Sequence, residues 1–244
     1  MPRKTRLDLL LVERDLCENQ DKAQRHIMAG EVRVDGQLVD KPGTPVNPSA
    51  EIRLSPRSRY VSRGGEKLEA ALQSWHLPVD GWVCADVGAC TGGFTDCLLQ
   101  HGASKVYALD VGKGILHWSL RSDARVVVME KTNARHVEHL PEALDLVVID
   151  ASFISLQTLL PVVMGWLKAG GEIVALVKPQ FEAPPEAVDK GGVVRDEQAR
   201  QAAVDSVVAY ANQQAGLQVL GVRESPLRGP AGNVEFLLWL GVAG

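Results

Sequence analysis

Residues 82–110 limit what this chain can fold into more than any other stretch. Trp82-Val-Cys-Ala-Asp86 is a short apolar run ending in an acid, and Gly88-Ala-Cys-Thr-Gly-Gly93 is a glycine-rich turn. A helical segment opens at Gly93, and Lys105-Val-Tyr-Ala-Leu-Asp110 is a second apolar run ending in an acid. This order predicts a strand, loop, helix, strand unit. Downstream the same alternation continues. Strands are expected at 125–129, 145–150 and 172–178, helices at 155–168 and 196–215, and two last strands at 217–223 and 234–240. Seven strands alternating with helices predict a doubly wound α/β sheet, parallel and covered on both faces, with the final pair adding an antiparallel edge. The Pro- and Gly-rich segment 180–194 between them reads as a lid over the strand ends.

Ligands of such sheets bind beyond the carboxyl ends of the strands. Glycines at Gly88, Gly92 and Gly93 remove side chains where backbone must approach a ligand, and Asp110 ends the second strand, where a carboxylate accepts ribose hydroxyls. The turn is neither a Gly-Lys-Ser/Thr phosphate loop nor a G-x-G-x-x-G fingerprint. Asp86, just before it, repels a pyrophosphate and suits the cationic methionine end of S-adenosylmethionine. The candidate cofactor residues are therefore Asp86, Gly88, Ala89, Gly92, Gly93, Phe94, Asp110 and Asp150, with Asn133 placed after the third strand to meet a base. An ordinary strand-to-helix turn is the competing reading.

With 244 residues, 45% of them hydrophobic, the chain can build one large or two modest domains with real cores. Its four cysteines form no C-x-x-C pair and its histidines do not cluster, so neither zinc nor a disulfide framework is indicated. Reduced thiols and a cytoplasmic protein are the expectation. The basic N-terminus lacks the apolar core of a signal peptide, and no run of about 18 apolar residues suggests a membrane span. Charge is unevenly shared: residues 1–68 carry 13 Lys+Arg and 10 Asp+Glu, leaving 13 and 20 for the remainder. The basic front is the candidate surface for a polyanion.

That front segment predicts a helix over 6–17, a second from the Asn19 cap to Gly30, a hairpin turning at Asp35-Gly36 and a strand at 51–54. Arg6-Leu-Asp-Leu-Leu-Leu, Lys22-Ala-Gln-Arg-His-Ile-Met-Ala-Gly30, Val32-Arg-Val-Asp-Gly36 and Lys41-Pro-Gly43 resemble the ribosomal-protein-S4-type RNA-binding domain. That resemblance implies an RNA partner, contacted by Arg6, Lys22, Arg25 and Arg33. The family usually has Ser-Arg before the lysine; Asn19-Gln20 stands here, so one expected cation is missing. The organisation expected is a small α+β S4-type domain over 1–56, a basic, flexible linker over 57–65 whose Arg63 can hold a phosphate, and an α/β domain over 66–244.

The helix opening at Glu66 carries Leu68, Ala71, Leu72 and Trp75 on one face, with Lys67 off that face in the first turn, where a cation opposes the helix dipole. Lys67, Asp150, Lys178 and Glu235, in that order, resemble the Lys-Asp-Lys-Glu tetrad of the FtsJ-type RNA 2′-O-methyltransferases. Val61-Ser-Arg-Gly-Gly-Glu-Lys-Leu68, Asp150-Ala-Ser-Phe-Ile-Ser-Leu156, Lys178-Pro-Gln-Phe-Glu182, Gly191-Gly-Val-Val-Arg-Asp196 and Gly232-Asn-Val-Glu235 extend the resemblance to the TlyA, or hemolysin A-like, family. It implies a Rossmann-like methyltransferase sheet, S-adenosylmethionine as cofactor, and ribosomal RNA or ribosomal subunits as partner, while the cysteine, histidine and apolar patterns point to neither metal nor membrane.

A ribose hydroxyl needs a base, and burial beside a second cation favours a neutral lysine, so Lys178 next to Lys67 is the expected base, with Asp150 and Glu235 orienting the two amines. The Asn/Asp-Pro-Pro-Tyr/Phe signature of base-nitrogen transfer is absent after the fourth strand, and no cysteine is placed for carbon-5 transfer. Two other readings are a membrane-acting cytolysin, which the hemolysin name suggests, and a non-catalytic RNA-binding assembly factor. The modified nucleotide and the oligomeric state are left open.

Overall fold

The computed structural model describes residues 4–28, 31–54, 59–214 and 216–242. The chain divides into two compact units, Met1–Arg59 and Tyr60–Gly244.

The front unit runs β1 (Thr5–Arg6), α1 (Leu7–Glu13), α2 (Gln20–Met28), β2 (Val32–Val34), β3 (Gln37–Leu38), β4 (Pro45–Val46) and β5 (Ile52–Leu54). Leu7, Leu10 and Leu11 recur at helical spacing and bury against Ala23, Ile27, Val32 and Val46 in one small core. The Asn19 carboxylate-like amide oxygen accepts the Lys22 N–H at 2.9 Å, the expected cap of α2. Asp35 and Gly36 both take positive φ, +49° and +80°, as a two-residue hairpin turn of the right twist requires. β2 lies between β3 and β5, all antiparallel, and β1 pairs antiparallel with β4. That last pair, only two residues a side, is too short to leave a pattern in the sequence. The first helix is also shorter than expected: it ends at Glu13, and Asp15 turns left-handed at φ +56°. Gly30, the expected stop of α2, lies outside the described residues.

The larger unit runs α3 (Gly64–Trp75), β6 (Val83–Val87), α4 (Gly93–Gln100), β7 (Lys105–Asp110), α5 (Trp118–Arg121), β8 (Val126–Glu130), β9 (Leu144–Ile149), α6 (Leu156–Met164), β10 (Leu167–Val177), α7 (Pro179–Glu182), α8 (Glu197–Gln213), β11 (Leu217–Glu224) and β12 (Phe236–Val242). Its seven strands lie in the order β11-β12-β10-β9-β6-β7-β8, and β6, β7, β8, β9 and β10 are parallel neighbours. Strand periodicity sends alternate side chains to opposite faces. Ala85, Val147, Ile149, Ile173 and Ala175 pack under α6 and α8, whereas Cys84, Leu146, Val148, Val174 and Leu176 pack under α3 and α4. Both faces are covered, which is why the strands read as continuous apolar runs.

The final pair adds the expected antiparallel edge: β12 pairs antiparallel with both β10 and β11, and β11 is outermost. Two expectations differ from the structure. The sixth helix stops at Met164, because Trp166 turns inward, 2% exposed, and its carbonyl accepts the Leu144 N–H to begin β10. Gly170-Gly171 therefore serves a register shift within β10 rather than a helix stop. The second half of the presumed flexible linker is packed: Tyr60 is 3% exposed in the core under α3 and α4, and the Val61 N–H donates to Asp96 at 2.8 Å. The expected lid holds α7 and a short 3-10 turn, Pro185–Ala187.

Candidate active site

The parallel strands end along one edge, and β12, running the other way, begins there. Asp150 follows β9, Lys178 follows β10, and Glu235 directly precedes β12. Lys67 arrives from the first turn of α3. The four side chains form two ion pairs: Lys67 Nζ to Glu235 Oε2 at 2.5 Å, and Lys178 Nζ to Asp150 Oδ1 at 2.7 Å. Both lysines are 8% exposed and Glu235 is 1% exposed. A buried charge without a partner is costly, so each pair holds its members in place. All four line one cavity of about 310 Å³, with Asp86, Gly88, Ala89, Gly93, Phe94 and Arg63 also on its wall. Surface charges scattered at random would not converge in this way.

A second cavity of about 440 Å³ opens beside the first and shares Gly88, Asp150 and Ser152 with it. Asp110 lies on its wall and accepts the N–H groups of Cys90 at 2.8 Å and Gly112 at 2.7 Å, which fixes the carboxylate and leaves lone pairs for hydroxyl donors. Asn133 is there too, its Oδ1 accepting the Arg135 N–H at 3.1 Å, while Val111, Ile115 and Leu159 give the cavity apolar surface. One cavity thus has the polar and apolar features of a nucleoside seat, and its neighbour holds the paired lysines.

Asp86 lies on the wall of the lysine cavity. It is fully buried, its Oδ2 accepts the Thr95 N–H at 2.9 Å and the Thr95 hydroxyl at 2.7 Å, and its Oδ1 has no partner. Burial, reinforced by the nearby Asp150 and Asp110 and opposed by Thr95, pushes its carboxyl up to about 7. An orphaned buried oxygen in a cavity rich in carboxylates fits a ligand with a cationic end. These residues match a cofactor that combines a ribose, a base and a cation.

The glycines act differently from the sequence expectation. A Cβ on Gly88 would sit 2.8 Å from the Asp150 carbonyl, on Gly92 2.2 Å from Leu120 Cδ1, and on Gly93 2.3 Å from Ser62 Oγ and 2.9 Å from the Gly65 nitrogen. The room they leave is filled by protein. Gly88 lets the turn approach the end of β9, and Gly93 lets α4 approach the start of α3. Phe94 is 3% exposed and belongs to the core as well as to the cavity wall.

Several supporting residues carried no signal of their own. Glu182 accepts the Ser155 hydroxyl at 2.6 Å and the Leu156 N–H at 2.7 Å, tying the segment after β10 to the segment after β9. Asn233, 2% exposed, accepts the Val194 N–H at 3.0 Å and donates to the Gly192 carbonyl at 2.8 Å, so two of the quoted motifs hold each other. Glu130 accepts N–H groups of Gly114, Ile115 and Leu116 and pairs with Arg121, bracing the loop that walls the nucleoside-like cavity; the Gly114 and Leu116 N–H groups and Arg121 hold its carboxyl down to about 2. Ser152 accepts from Lys178 Nζ at 3.0 Å.

In the front unit, the expected RNA contacts are not equally available. Arg6 makes two hydrogen bonds to the buried Asp8, which also accepts from the Gln20 and Gln24 side-chain amides. Gln20, where the cation was missing, therefore works inward. Lys22 pairs with Glu18 at 2.5 Å, and Arg33 donates to the Gly36 carbonyl at 3.1 Å. Arg25 is exposed and has no ion pair among the described residues.

Residues 60–242 match the FtsJ-like methyltransferase family and residues 5–52 match the S4 domain. A Mycobacterium tuberculosis protein named 16S/23S rRNA (cytidine-2′-O)-methyltransferase TlyA is 48% identical across 98% of this chain and 91% of its own length. The Brachyspira hyodysenteriae protein named hemolysin A is 39% identical across 95% and 98%. A solved structure from Streptococcus thermophilus, described as a candidate hemolysin, superposes with a TM-score of 0.74 at 42% identity, covering 100% of this chain and 90% of that one.

Proposed function

Because this chain belongs to the FtsJ-like methyltransferases, in their TlyA or hemolysin A-like branch, we propose that it methylates a ribose 2′-hydroxyl of ribosomal RNA using S-adenosylmethionine. The observation that carries this reading is the pair of buried lysine–carboxylate bridges in one cavity next to a nucleoside-like one. Asp110 would hold the cofactor's ribose, Asn133 and the apolar wall its base, and Asp86 its cationic amino-acid end. When bound, the cofactor supplies an electrophilic methyl group on a sulfonium.

The chain's own residues supply base and alignment. Lys178, acting in its neutral form, takes the proton of the 2′-hydroxyl as the oxygen attacks. Asp150 holds that amine at 2.7 Å, and the Lys67–Glu235 pair fixes a second amine to orient the acceptor oxygen. The cavity walls exclude water from the methyl group, which would otherwise compete with the ribose. The S4-type unit supplies RNA affinity, and the cytidine in the name of the Mycobacterium tuberculosis relative makes cytidine the nucleotide to try first.

The decisive experiment is transfer of labelled methyl to each ribosomal subunit, to protein-free rRNA and to no RNA, with the label located by nuclease digestion. Ribose label from wild type, abolished in Lys178→Ala while cofactor and RNA binding stay within a few fold, is the expected result. An active Lys178→Ala protein overturns the base assignment. A cytolysin reading rests on the names of relatives alone; among the described residues no helix is long and apolar enough to cross a membrane.

A further inference from the structure

Ser152 lies where the three cavities around the strand ends meet: it lines the nucleoside-like cavity, the lysine cavity and a third of about 440 Å³ that adjoins Lys178 on its other side. It is an exposed serine, and its Oγ accepts a hydrogen bond from Lys178 Nζ at 3.0 Å. Around that nitrogen the acceptors are Asp150 Oδ1 at 2.7 Å, Ser152 Oγ at 3.0 Å and, at the limit of a hydrogen bond, the Asp150 carbonyl at 3.4 Å.

A neutral primary amine has two N–H bonds and one lone pair. A single acceptor engages one N–H but leaves the lone pair to exchange with the second N–H between the two remaining staggered positions, and a second acceptor removes that choice. We propose that Ser152 is the second acceptor, a positioning residue that aims the Lys178 lone pair at the acceptor hydroxyl. This inference rests on Lys178 being the base.

The step balances as follows. The ribose O–H bond breaks and its proton joins the aimed lone pair of Lys178, giving an ammonium. The oxygen's electron pair forms the new O–CH₃ bond, and the electrons of the breaking S–CH₃ bond stay on sulfur, which becomes a neutral thioether. After the transfer the ammonium keeps Asp150 and Ser152 as acceptors for two of its three N–H groups. Ser152 therefore helps both states but is directional only for the neutral one.

The test compares wild type, Ser152→Ala, Ser152→Thr and Lys178→Ala as full-length protein on the RNA that accepts label. Ser152→Ala is expected to lower kcat roughly tenfold or more, with KM for cofactor and RNA within about threefold. Ser152→Thr, which keeps the hydroxyl, should recover to within about threefold of wild type. Wild-type kcat in Ser152→Ala overturns the inference. So does a Ser152→Thr protein as impaired as Ser152→Ala, since bulk packing would then be the cause. If Lys178→Ala is inactive while Ser152→Ala is normal, only the role of Ser152 falls; if Lys178→Ala still transfers methyl, the base assignment falls with it.

Discussion

Asp86 is a carboxyl that burial brings close to neutrality. Its carboxyl is pushed up to about 7, chiefly by burial, so in the free protein it is largely protonated below that pH. A raised acid stabilises the fold fully below its unfolded value near 4, and the contribution is lost as pH rises through about 7. A cationic ligand reverses the preference, because it favours the carboxylate. Cofactor binding at pH 6 should therefore release a proton, and affinity should rise with pH, by at most about tenfold per unit, levelling off above 7. Calorimetry in two buffers of different ionisation enthalpy measures the proton count directly. Asp86→Asn should bind without proton release; wild-type binding that releases none between pH 6 and 7 would contradict the assignment of Asp86 to the cation. The sequence does not show that this acid is completely buried; burial outweighs the two hydrogen bonds that Asp86 accepts from Thr95.

Among the elements, α3 and α4 cross at two glycines, and that crossing sets where Lys67 stands. Gly93→Ala would drive a methyl group into Ser62 Oγ and the backbone at Gly65, so the helices must separate. Such overpacking costs about 1–3 kcal/mol, equivalent to roughly 2–10 °C in melting temperature for a unit of this size. Because Lys67 is on the first turn of α3, kcat should fall further than stability alone explains. Thermal unfolding beside single-turnover rates separates the two effects. The central strands of this unit were legible as apolar runs, and Asp150 and Lys178 stood out at the ends of two of them; the tetrad as a set was legible through the family resemblance, since Lys67 lies on a helix and Glu235 precedes a strand. The insertion of β12 was not legible, since a strand's neighbours depend on pairing and not on its own residues. Glu182, Asn233 and Ser152 were hidden for the same reason: each acts on a group brought close only by folding, 26 to 41 residues away in sequence. The short β1–β4 pair lacked enough residues for any period to show.

At the scale of the whole molecule, charge and chemistry are divided. Met1–Arg59 holds 11 Lys+Arg against 9 Asp+Glu, and the rest holds 15 against 21, so the unit with the lysine pairs is net acidic and does not attract RNA by overall charge. Affinity must come from placed cations. Arg25 is exposed without an ion pair among the described residues, whereas Arg6 is committed to Asp8. Arg25→Ala should weaken RNA binding and reduce the slope of log affinity against log salt by about one, as loss of one phosphate contact does. Arg6→Ala should instead lower the melting temperature of the front unit, because Asp8 stays buried without its ion-pair partner. Filter binding over a salt series and thermal unfolding of the same two variants distinguish these outcomes; a salt slope changed equally by both would show that the division is wrong.

The interior place of β12 also bears on how the protein comes into being. During synthesis the residues that form the glycine turn, Asp110 and Asp150 leave the ribosome well before Glu235 and the strand behind it. A nascent chain stalled before β12 would carry every cofactor-side residue, yet Lys67 would lack its counter-ion and β10 and β11 would have no strand between them. Competence for chemistry thus waits until Glu235 has been made, so copies stopped short of it have no complete tetrad with which to act on RNA.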